Sequence, residues 1–392
     1  MPWVDESRLD DQDALSALDS SDSLRSLASA GAQVRRALVS ADEAGVARFS
    51  GGERPRSVLV AALGGSALVC DVLDLLAEPG SPVPVTTRGG PPLPGWVGPL
   101  DLVIAVSQSG RAVGPLALAA EAARRGASLL TVGAARSPLA EVSARARGVH
   151  VEVALPTPSS RTALWSLLTP VLLAADAMGL VRCPRDILER VADVLDEVAE
   201  ECRPTSESFV NPAKILALGL GETVPVVLGD GPLTGVAAAR AASMLARTAR
   251  VPATHGALPD AASQVVACLD GPFGSGLAGQ AGAGRPGGSP ASGGDIFADP
   301  YLDAPPAPRL GLLALRDPDL QREQVALADA VVGSARDSGV TVWEQQAHSG
   351  EPIERLASLV ALTDFAATYL ALGLGLDPSV SRHVAELRDR TS

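Results

Sequence analysis

The chain has 392 residues, of which 46% are hydrophobic and 20% are charged, and its formal net charge at pH 7 is −13. This length suits two domains with buried cores, and the acidic charge excludes a nucleic-acid backbone or an anionic membrane as the expected main partner. A small phosphorylated ligand remains compatible with that charge, because backbone N–H groups and a few arginines can form a local anion site on an acidic protein.

The sequence carries few signals for metals, cofactors or membranes. Its four cysteines lie far apart without a Cys-x-x-Cys pair, and it lacks a dinucleotide fingerprint and a P-loop lysine. We therefore expect reduced, structural cysteines, no metal and no cofactor. The N-terminal segment 1–15 is acidic and does not resemble a signal peptide. Gly, Pro or charge interrupts the apolar stretches before the roughly 20 residues of a membrane span. These features predict a cytoplasmic protein.

In chain order, a helical pattern over about 15–47 comes first. Short apolar runs that alternate with helical patterns follow it. Runs of this kind are typical of buried parallel strands in a doubly wound sheet. The runs cover residues 56–63, 82–87, 100–107, 127–133 and 149–155, and helical patterns cover 112–125 and 137–146.

The same alternation returns in the second half of the chain, after helical patterns at 163–180 and 186–202. The predicted strands are 223–230, 264–270, 309–317 and 340–347, and the predicted helices are 234–247, 319–337 and 352–373. The sequence therefore predicts an α/β fold with two doubly wound subdomains, each a parallel sheet flanked by helices.

The predicted domain organisation follows from these patterns. It comprises an N-terminal helical segment 1–50, a first subdomain 51–182, a helical connector 183–210, a second subdomain 211–375 and a C-terminal helix 376–392. Residues 271–308 are rich in Gly, Pro, Ser and Ala, and this composition predicts a flexible insertion, either a lid over a ligand or a surface loop.

Two turns of the first subdomain have the composition of an anion site. Leu63-Gly64-Gly65-Ser66 follows the first strand, and Ser107-Gln108-Ser109-Gly110 follows the third. Loops at the carboxyl ends of parallel strands border the ligand crevice. Glycine lets a backbone approach an anion closely, and hydroxyls and helix N–H groups donate to phosphate oxygens. The alternative is that these Ser and Gly residues only cap helices.

The Ser-x-Ser-Gly loop, preceded by a Gly-Gly-Ser turn, resembles the sugar isomerase (SIS) domain, which binds phosphosugars. The order of segments is similar to that of the bifunctional phosphoglucose/phosphomannose isomerases, which carry two SIS subdomains and act as dimers. The resemblance therefore implies a phosphorylated sugar as the partner and a homodimer. Its landmarks are 158–168, 211–217, 240–253, 315–317 and 364–390.

The resemblance also assigns substrate-binding residues. The family's second loop is usually Ser-x-Ser-Gly-x-Thr, and its hydroxyls hold the phosphate. Here Ala112 stands in place of the Thr, and Arg111 is the candidate to supply the missing contact. Arg161 matches the family arginine that stabilises charge developing on substrate oxygens, with a surface ion pair as the alternative.

The acid–base groups of the family are replaced in this chain. Aldose–ketose isomerisation needs a base that moves a proton between adjacent carbons. Arg247 aligns with the family's Glu, and Arg388 aligns with its late Lys. The family's His is missing after Pro259 and Asp260. His255 and Asp260 are the candidate replacements, and Arg388 keeps the charge but is a poor proton shuttle.

Two further acidic residues are weaker candidates. Glu222 is another candidate base. Asp230 ends a predicted strand, where it would either bond a sugar hydroxyl or cap the next helix.

Three functions remain open at this point. The first is a phosphosugar-binding protein that has lost its proton-transfer groups. The second is an active isomerase of glucose, mannose and fructose 6-phosphates with a relocated base. The third is a non-catalytic scaffold or regulatory partner that keeps only the fold.

Overall fold

The computed structural model describes residues 4–153, 159–274 and 309–391. Its contacts divide the chain into two compact units. The five-stranded unit comprises Asp19–Pro204, His348–Leu362 and Ser379–Ser392, and the four-stranded unit comprises Met1–Leu18, Thr205–Ala347 and Thr363–Pro378. The predicted insertion 271–308 lies almost entirely outside the described residues, and the linear domain boundaries stay predictions.

The helices carry one numbering in chain order. They are α1 (Glu6–Asp10), α2 (Gln12–Leu18), α3 (Ser23–Ala28), α4 (Ala30–Glu43), α5 (Leu68–Ala77), α6 (Val113–Arg124), α7 (Pro138–Arg145), α8 (Leu164–Ala177), α9 (Arg185–Glu201), α10 (Pro212–Gly221), α11 (Pro232–Met244), α12 (Ala262–Leu269), α13 (Arg322–Asp337), α14 (Pro352–Gly373) and α15 (Arg382–Thr391).

The first sheet is parallel throughout and has the strand order β2-β1-β3-β4-β5. Its central strands are buried because they are continuous apolar runs covered by helices on both faces. One face packs Leu59, Val103 and Leu129 against Leu118 of α6 and Leu139 of α7. The strands are β1 (Val58–Ala61), β2 (Val85–Arg88), β3 (Leu102–Ser107), β4 (Ser128–Gly133) and β5 (Val149–Glu152).

The second sheet is also parallel, with the order β7-β6-β8-β9. Leu228 and Leu312 pack against Val265 of α12 and Val331 of α13. The strands are β6 (Val224–Gly229), β7 (Thr254–Ala257), β8 (Leu310–Arg316) and β9 (Thr341–Gln346). The two sheets and their flanking helices confirm the predicted α/β class.

One predicted strand is wrong. The run 264–270 forms helix α12, and the fourth strand of the sheet is instead β7. Val265 and Leu269 are buried four residues apart, while Ala267 between them is exposed, which is helical periodicity. The edge strand β7 begins with exposed Thr254 and His255, so it lacks the apolar run that marks the central strands.

Helix α14 corrects the expectation about apolar stretches. It is long and apolar enough to cross a membrane by length and composition, and 89% of its most apolar window is buried inside the protein. Such burial is typical of a core helix. One contact of α14 in this core is an ion pair. Arg240 of α11 donates to both carboxylate oxygens of Asp364 on α14, at 3.0 and 2.8 Å. Each of the two side chains is about 5% exposed or less.

We expect Arg240→Ala to lower the free energy of unfolding by about 3–5 kcal/mol, because it leaves the Asp364 carboxylate buried without its cationic partner. Urea denaturation measures this loss. The double variant Arg240→Met/Asp364→Leu removes both charges and should lose clearly less. Equal losses in the two proteins would contradict this account of the pair.

Candidate functional site

The strand order of the first sheet reverses between β1 and β3. From β1 the chain crosses to β2 on one side, and from β3 it crosses to β4 on the other side. Because β1 and β3 are parallel neighbours with Ala61 beside Ala105, their carboxyl ends lie side by side. This is a topological switch point, where open α/β sheets bind ligands. Both Ser/Gly turns predicted from the sequence begin there.

The turn after β1 is built on glycine. Gly64 has a φ of +69°, a left-handed conformation that glycine adopts without strain, and Gly64–Ser66 forms one 3-10 turn that leads into α5. The Ser66 hydroxyl donates to the Leu63 carbonyl at 3.0 Å and is almost fully buried. Ser66 therefore closes its own turn, and its predicted role as a phosphate ligand stays a prediction.

The loop after β3 presents its serines differently. The Ser107 Oγ accepts from the Ala112 amide, and the Ser109 Oγ accepts from the Arg111 amide, each at 3.3 Å. In these two bonds the oxygens are acceptors, which leaves the hydroxyl hydrogens able to donate to a ligand. Gly110 makes the tight turn between them with a φ of +64°. Ser109 and Arg111 are exposed, and Ser107 is buried at the strand end.

Ala112 changes the start of helix α6. It occupies the N-cap position, and no side-chain hydrogen bond caps the helix there. A threonine at this position would offer a hydroxyl to the first-turn amides. With alanine, the amides of Val113 and Gly114 keep that donor capacity, and the positive end of the helix dipole faces the same loop. The departure from the family pattern thus removes one hydroxyl and leaves backbone donors.

The loops at this edge are packed against one another. A Cβ built on Gly89, just after β2, would lie 3.3 Å from Cδ1 of Leu63. A Cβ on Gly114 would overlap the Gly89 carbonyl oxygen, and one on Gly110 would overlap the hydroxyl of Ser137 at the start of α7. Glycine is required at Gly110 and Gly114, and these close approaches bring the loops after β1, β2, β3 and β4 together.

Arg161 comes to the same edge. A Cβ on Gly65 would lie 3.0 Å from the Arg161 amide nitrogen and would overlap the Ser160 hydroxyl. The Ser159–Arg161 segment therefore lies directly against the Gly-Gly-Ser turn. Arg161 is half-buried there, so its backbone lies at the same edge of the sheet as the two predicted serine turns. Its role toward a substrate stays a prediction.

A model of the bacterial phospho-glucose isomerase C-terminal SIS domain matches residues 209–391. This part of the chain is similar to that SIS domain. A bifunctional phosphoglucose/phosphomannose isomerase of Caldicellulosiruptor bescii is 29% identical over 199 residues, 50% of this chain and 57% of the relative. The match thus spans little more than half of the relative's length.

Solved structures share the fold over nearly the whole chain. A "putative phosphosugar isomerase" from Silicibacter pomeroyi has a TM-score of 0.62 at 22% identity, covering 91% of this chain and 99% of that one. A hypothetical protein from Thermus thermophilus has a TM-score of 0.67 at 14% identity, covering 97% and 94%. The resemblance predicted from the sequence is confirmed, and both parallel sheets match phosphosugar isomerase folds.

Three of the four residues aligned with or predicted as acid–base groups lie in the four-stranded unit. His255 is exposed on the edge strand β7, and Asp260 is exposed just before α12. Arg247 is exposed in a π-helical turn, Leu245–Ala249, that extends α11. Arg388 belongs to α15, outside that unit, and its side chain lies outside the part of the chain that the structure describes. Their catalytic roles therefore stay predictions.

The switch point of the second sheet has a different chemistry. Asp230 follows β6 and is buried, and its carboxylate accepts from the Thr234 hydroxyl at 2.9 Å and from the Asp317 amide at 3.1 Å. Burial raises the pKa of Asp230. The carboxylate lies between the loops after β6 and β8, at the position where a bound anion would otherwise accept these hydrogen bonds. The N-cap of α11 is Gly231. The predicted alternative, in which Asp230 caps this helix, is therefore wrong.

The remaining candidate base and the buried cysteines are also placed. Glu222 precedes β6, at the opposite edge of that sheet. Cys70 and Cys183 are buried free thiols, and burial raises the pKa of each to about 12. Such thiols are unreactive. Among the described residues no group of three or more His, Cys, Asp or Glu is arranged to hold a metal ion.

We expect Gly65→Ala to disturb the site, because its methyl group would meet the Ser159–Arg161 backbone. The overpacking should cost about 1–3 kcal/mol of unfolding free energy, measured by urea denaturation. Gly80→Ala is the matched control, since a Cβ at Gly80 meets nothing within 4 Å. A Gly65→Ala protein as stable as the control would contradict the close approach.

Proposed function

We propose that this protein binds a hexose 6-phosphate at the carboxyl edge of its five-stranded sheet. The observation that carries the proposal is the loop after β3, in which Ser107 and Ser109 can donate their hydroxyl hydrogens next to a helix start without a side-chain cap. Hydroxyls and helix N–H groups are the donors that proteins use for phosphate.

The proposed pose follows from the packing of the loops. The phosphate lies over the Ser107–Arg111 loop, with Arg111 supplying a positive charge. The sugar extends toward the Gly64–Ser66 turn, where Arg161 lies against Gly65. Arg161 then holds sugar oxygens on which negative charge develops. At the switch point of the second sheet the buried Asp230 carboxylate already accepts the Asp317 amide and faces Arg316 at 3.7 Å, so it takes the donors that a phosphate would need there.

The choice of a sugar phosphate draws on the relatives. The curated relative is named for glucose and mannose phosphates, and the matched family for glucose phosphate. Fold alone does not carry a function to another chain, so here the substrate class rests on the serine loop together with these names. A cytoplasmic location and a homodimer belong to the same proposal and are untested.

Isomerase activity is the second candidate, favoured by the name of the relative. The reaction moves a proton between adjacent carbons through an enediol and requires a base within reach of that carbon. The chain carries Arg247 where the family has its glutamate, and arginine does not accept protons at neutral pH. Binding without turnover is therefore the leading proposal, with His255 and Asp260 as the groups that an active enzyme would need.

We expect Ser107→Ala and Ser109→Ala each to weaken glucose 6-phosphate binding about tenfold or more, because each removes a hydrogen bond to a charged oxygen. Isothermal titration calorimetry measures the change. Ser16→Ala on the exposed face of α2 is the control and should bind as the parent does. Unchanged affinity in both loop variants, or no binding of glucose, fructose or mannose 6-phosphate, would overturn the proposed site.

A coupled assay separates the binder from the enzyme. It follows fructose 6-phosphate to glucose 6-phosphate and mannose 6-phosphate to fructose 6-phosphate. The leading proposal expects a calorimetric signal for the sugar phosphates and no turnover. Turnover that survives Arg247→Ala but is lost in His255→Ala or Asp260→Ala would instead establish an isomerase with a relocated base.

A further inference from the structure

A cavity lies at the edge of the five-stranded sheet opposite the serine loops. This groove, of about 770 Å³, is lined at the amino ends of β1, β3 and β4 by Arg56, Asp101 and Ser128, and beside them by Met178 just after α8. All strands of the sheet are parallel, so their amino ends face away from the switch point. The groove is therefore separate from the serine loops, and its volume is in the range of small-molecule sites.

The groove is positively charged in a strongly acidic protein. Four arginines line it, Arg48, Arg54, Arg56 and Arg147, against two carboxylates, Glu53 and Asp101. Asp101 is buried and already bonded to Arg56 at 2.6 Å and to the Ser57 hydroxyl at 2.7 Å. Burial acts to raise the pKa of Asp101, but the bonds from Arg56 and Ser57 lower it overall. The negative charge of Asp101 thus offsets the positive charge of Arg56. The other three arginines face only one further carboxylate, Glu53, so the groove keeps a net positive charge.

Much of the donor capacity of these arginines is unused. Arg54 donates its Nε to the Met178 carbonyl at 3.4 Å, and Arg48 donates one Nη2 hydrogen to the Arg147 carbonyl at 3.2 Å. The Arg147 guanidinium has no hydrogen-bond or ion-pair partner among the described residues. Each guanidinium carries five N–H donors, arranged to match a phosphate or carboxylate. These two hydrogen bonds to backbone carbonyls therefore use only a small part of the N–H donors that the arginine cluster offers.

The backbone of Arg147 supports a role for its side chain. Arg147 follows α7 with a φ of +54°, a left-handed conformation that favours glycine and that glycine commonly takes after a helix. An arginine held there is strained, and such strain concentrates at functional sites. A glycine would fit the turn better, but it would give the groove no guanidinium.

One wall of the groove is apolar. Phe49, Pro99 and Leu100 line it, and Leu100 is 65% exposed at the start of β3. Arg48 lies over the Phe49 ring, 5.9 Å from its centroid. A ligand that matches the whole groove has several negative charges at one end and a flat or apolar body at the other.

We propose that this groove binds an organic polyphosphate of nucleotide size, at a site separate from the hexose 6-phosphate site. Arg54 and Arg147 contact the phosphates, with Arg48 beside them, and the body of the ligand lies on the Phe49 and Leu100 wall. A ligand at one edge of the sheet and a sugar phosphate at the other edge then bind without competing.

The test uses the full chain with ATP and pyrophosphate as probes in isothermal titration calorimetry. Arg147→Gly is the decisive variant, because it removes the guanidinium and relieves the left-handed strain, so it should fold with an unchanged or higher melting temperature. ATP affinity should fall about tenfold or more in this variant and in Arg54→Ala. Arg322→Ala, which removes an exposed arginine of α13, is the charge-matched control and should bind ATP as the parent does.

Further outcomes decide the proposal. Ser109→Ala should leave ATP affinity unchanged, and saturating glucose 6-phosphate should not displace ATP. Competition between the two ligands would overturn the separate site. Unaltered ATP affinity in Arg147→Gly and Arg54→Ala, or no binding of either probe, would overturn the groove as a polyphosphate site. ATP should bind more tightly than pyrophosphate, and equal affinities would refute recognition of the ligand body by the apolar wall.

Discussion

The parallel pairing of β1 with β3 is the constraint on which the candidate site depends. In this register the chain leaves the two strands at adjacent points and turns away in opposite directions, which opens a crevice between the loops. Glycines at 65, 110 and 114 let neighbouring loops approach closely at this edge. A larger residue at any of these positions would displace the loops that carry Ser107 and Ser109. The positions of the serine hydroxyls therefore depend on close packing at glycines, two of which, Gly65 and Gly114, lie several residues or more away from Ser107 and Ser109.

The two sheets share the same strand arrangement, but the groups at their switch points have opposite electrostatic character. Each has a switch point between its two central strands, and each brings a helix start to it. In the first sheet the loop supplies hydroxyls and amides, which are donors for an anion. In the second sheet Asp230 supplies the anion itself and takes the amide of Asp317. An internal carboxylate joins the loops after β6 and β8, so the donor arrangement proposed for a phosphate is found at the first switch point and not at the second.

The sequence predicted most of the fold because the central strands of both sheets are continuous apolar runs, a pattern set by burial on both faces. It failed at 264–270, where valines and alanines of a helix resemble a strand, and it missed β7, whose edge position removes the apolar signal. The placement of the serine turns and of Arg161 at one edge of the sheet could be predicted because strand-end loops have a distinctive composition and a family pattern. The acid–base groups could not, since residues aligned with the family's Glu and Lys are arginines and the structure places His255 and Asp260 on exposed positions.

No local sequence pattern predicts the arginine groove. Its members, from Arg48 to Arg147, are scattered over a hundred residues and meet only because parallel strands gather their amino ends at one edge. The two edges of this sheet are therefore suited to different anions. The neutral hydroxyls and amides proposed as phosphate ligands at the carboxyl edge would act through short, directed hydrogen bonds that salt screens weakly. Exposed guanidinium groups at the amino edge attract charge over a longer range, and salt screens that attraction strongly. On a chain with a net charge of −13, such a positive groove opposes the field of the whole surface, and its maintenance through a strained Arg147 is best explained by a ligand that carries several negative charges.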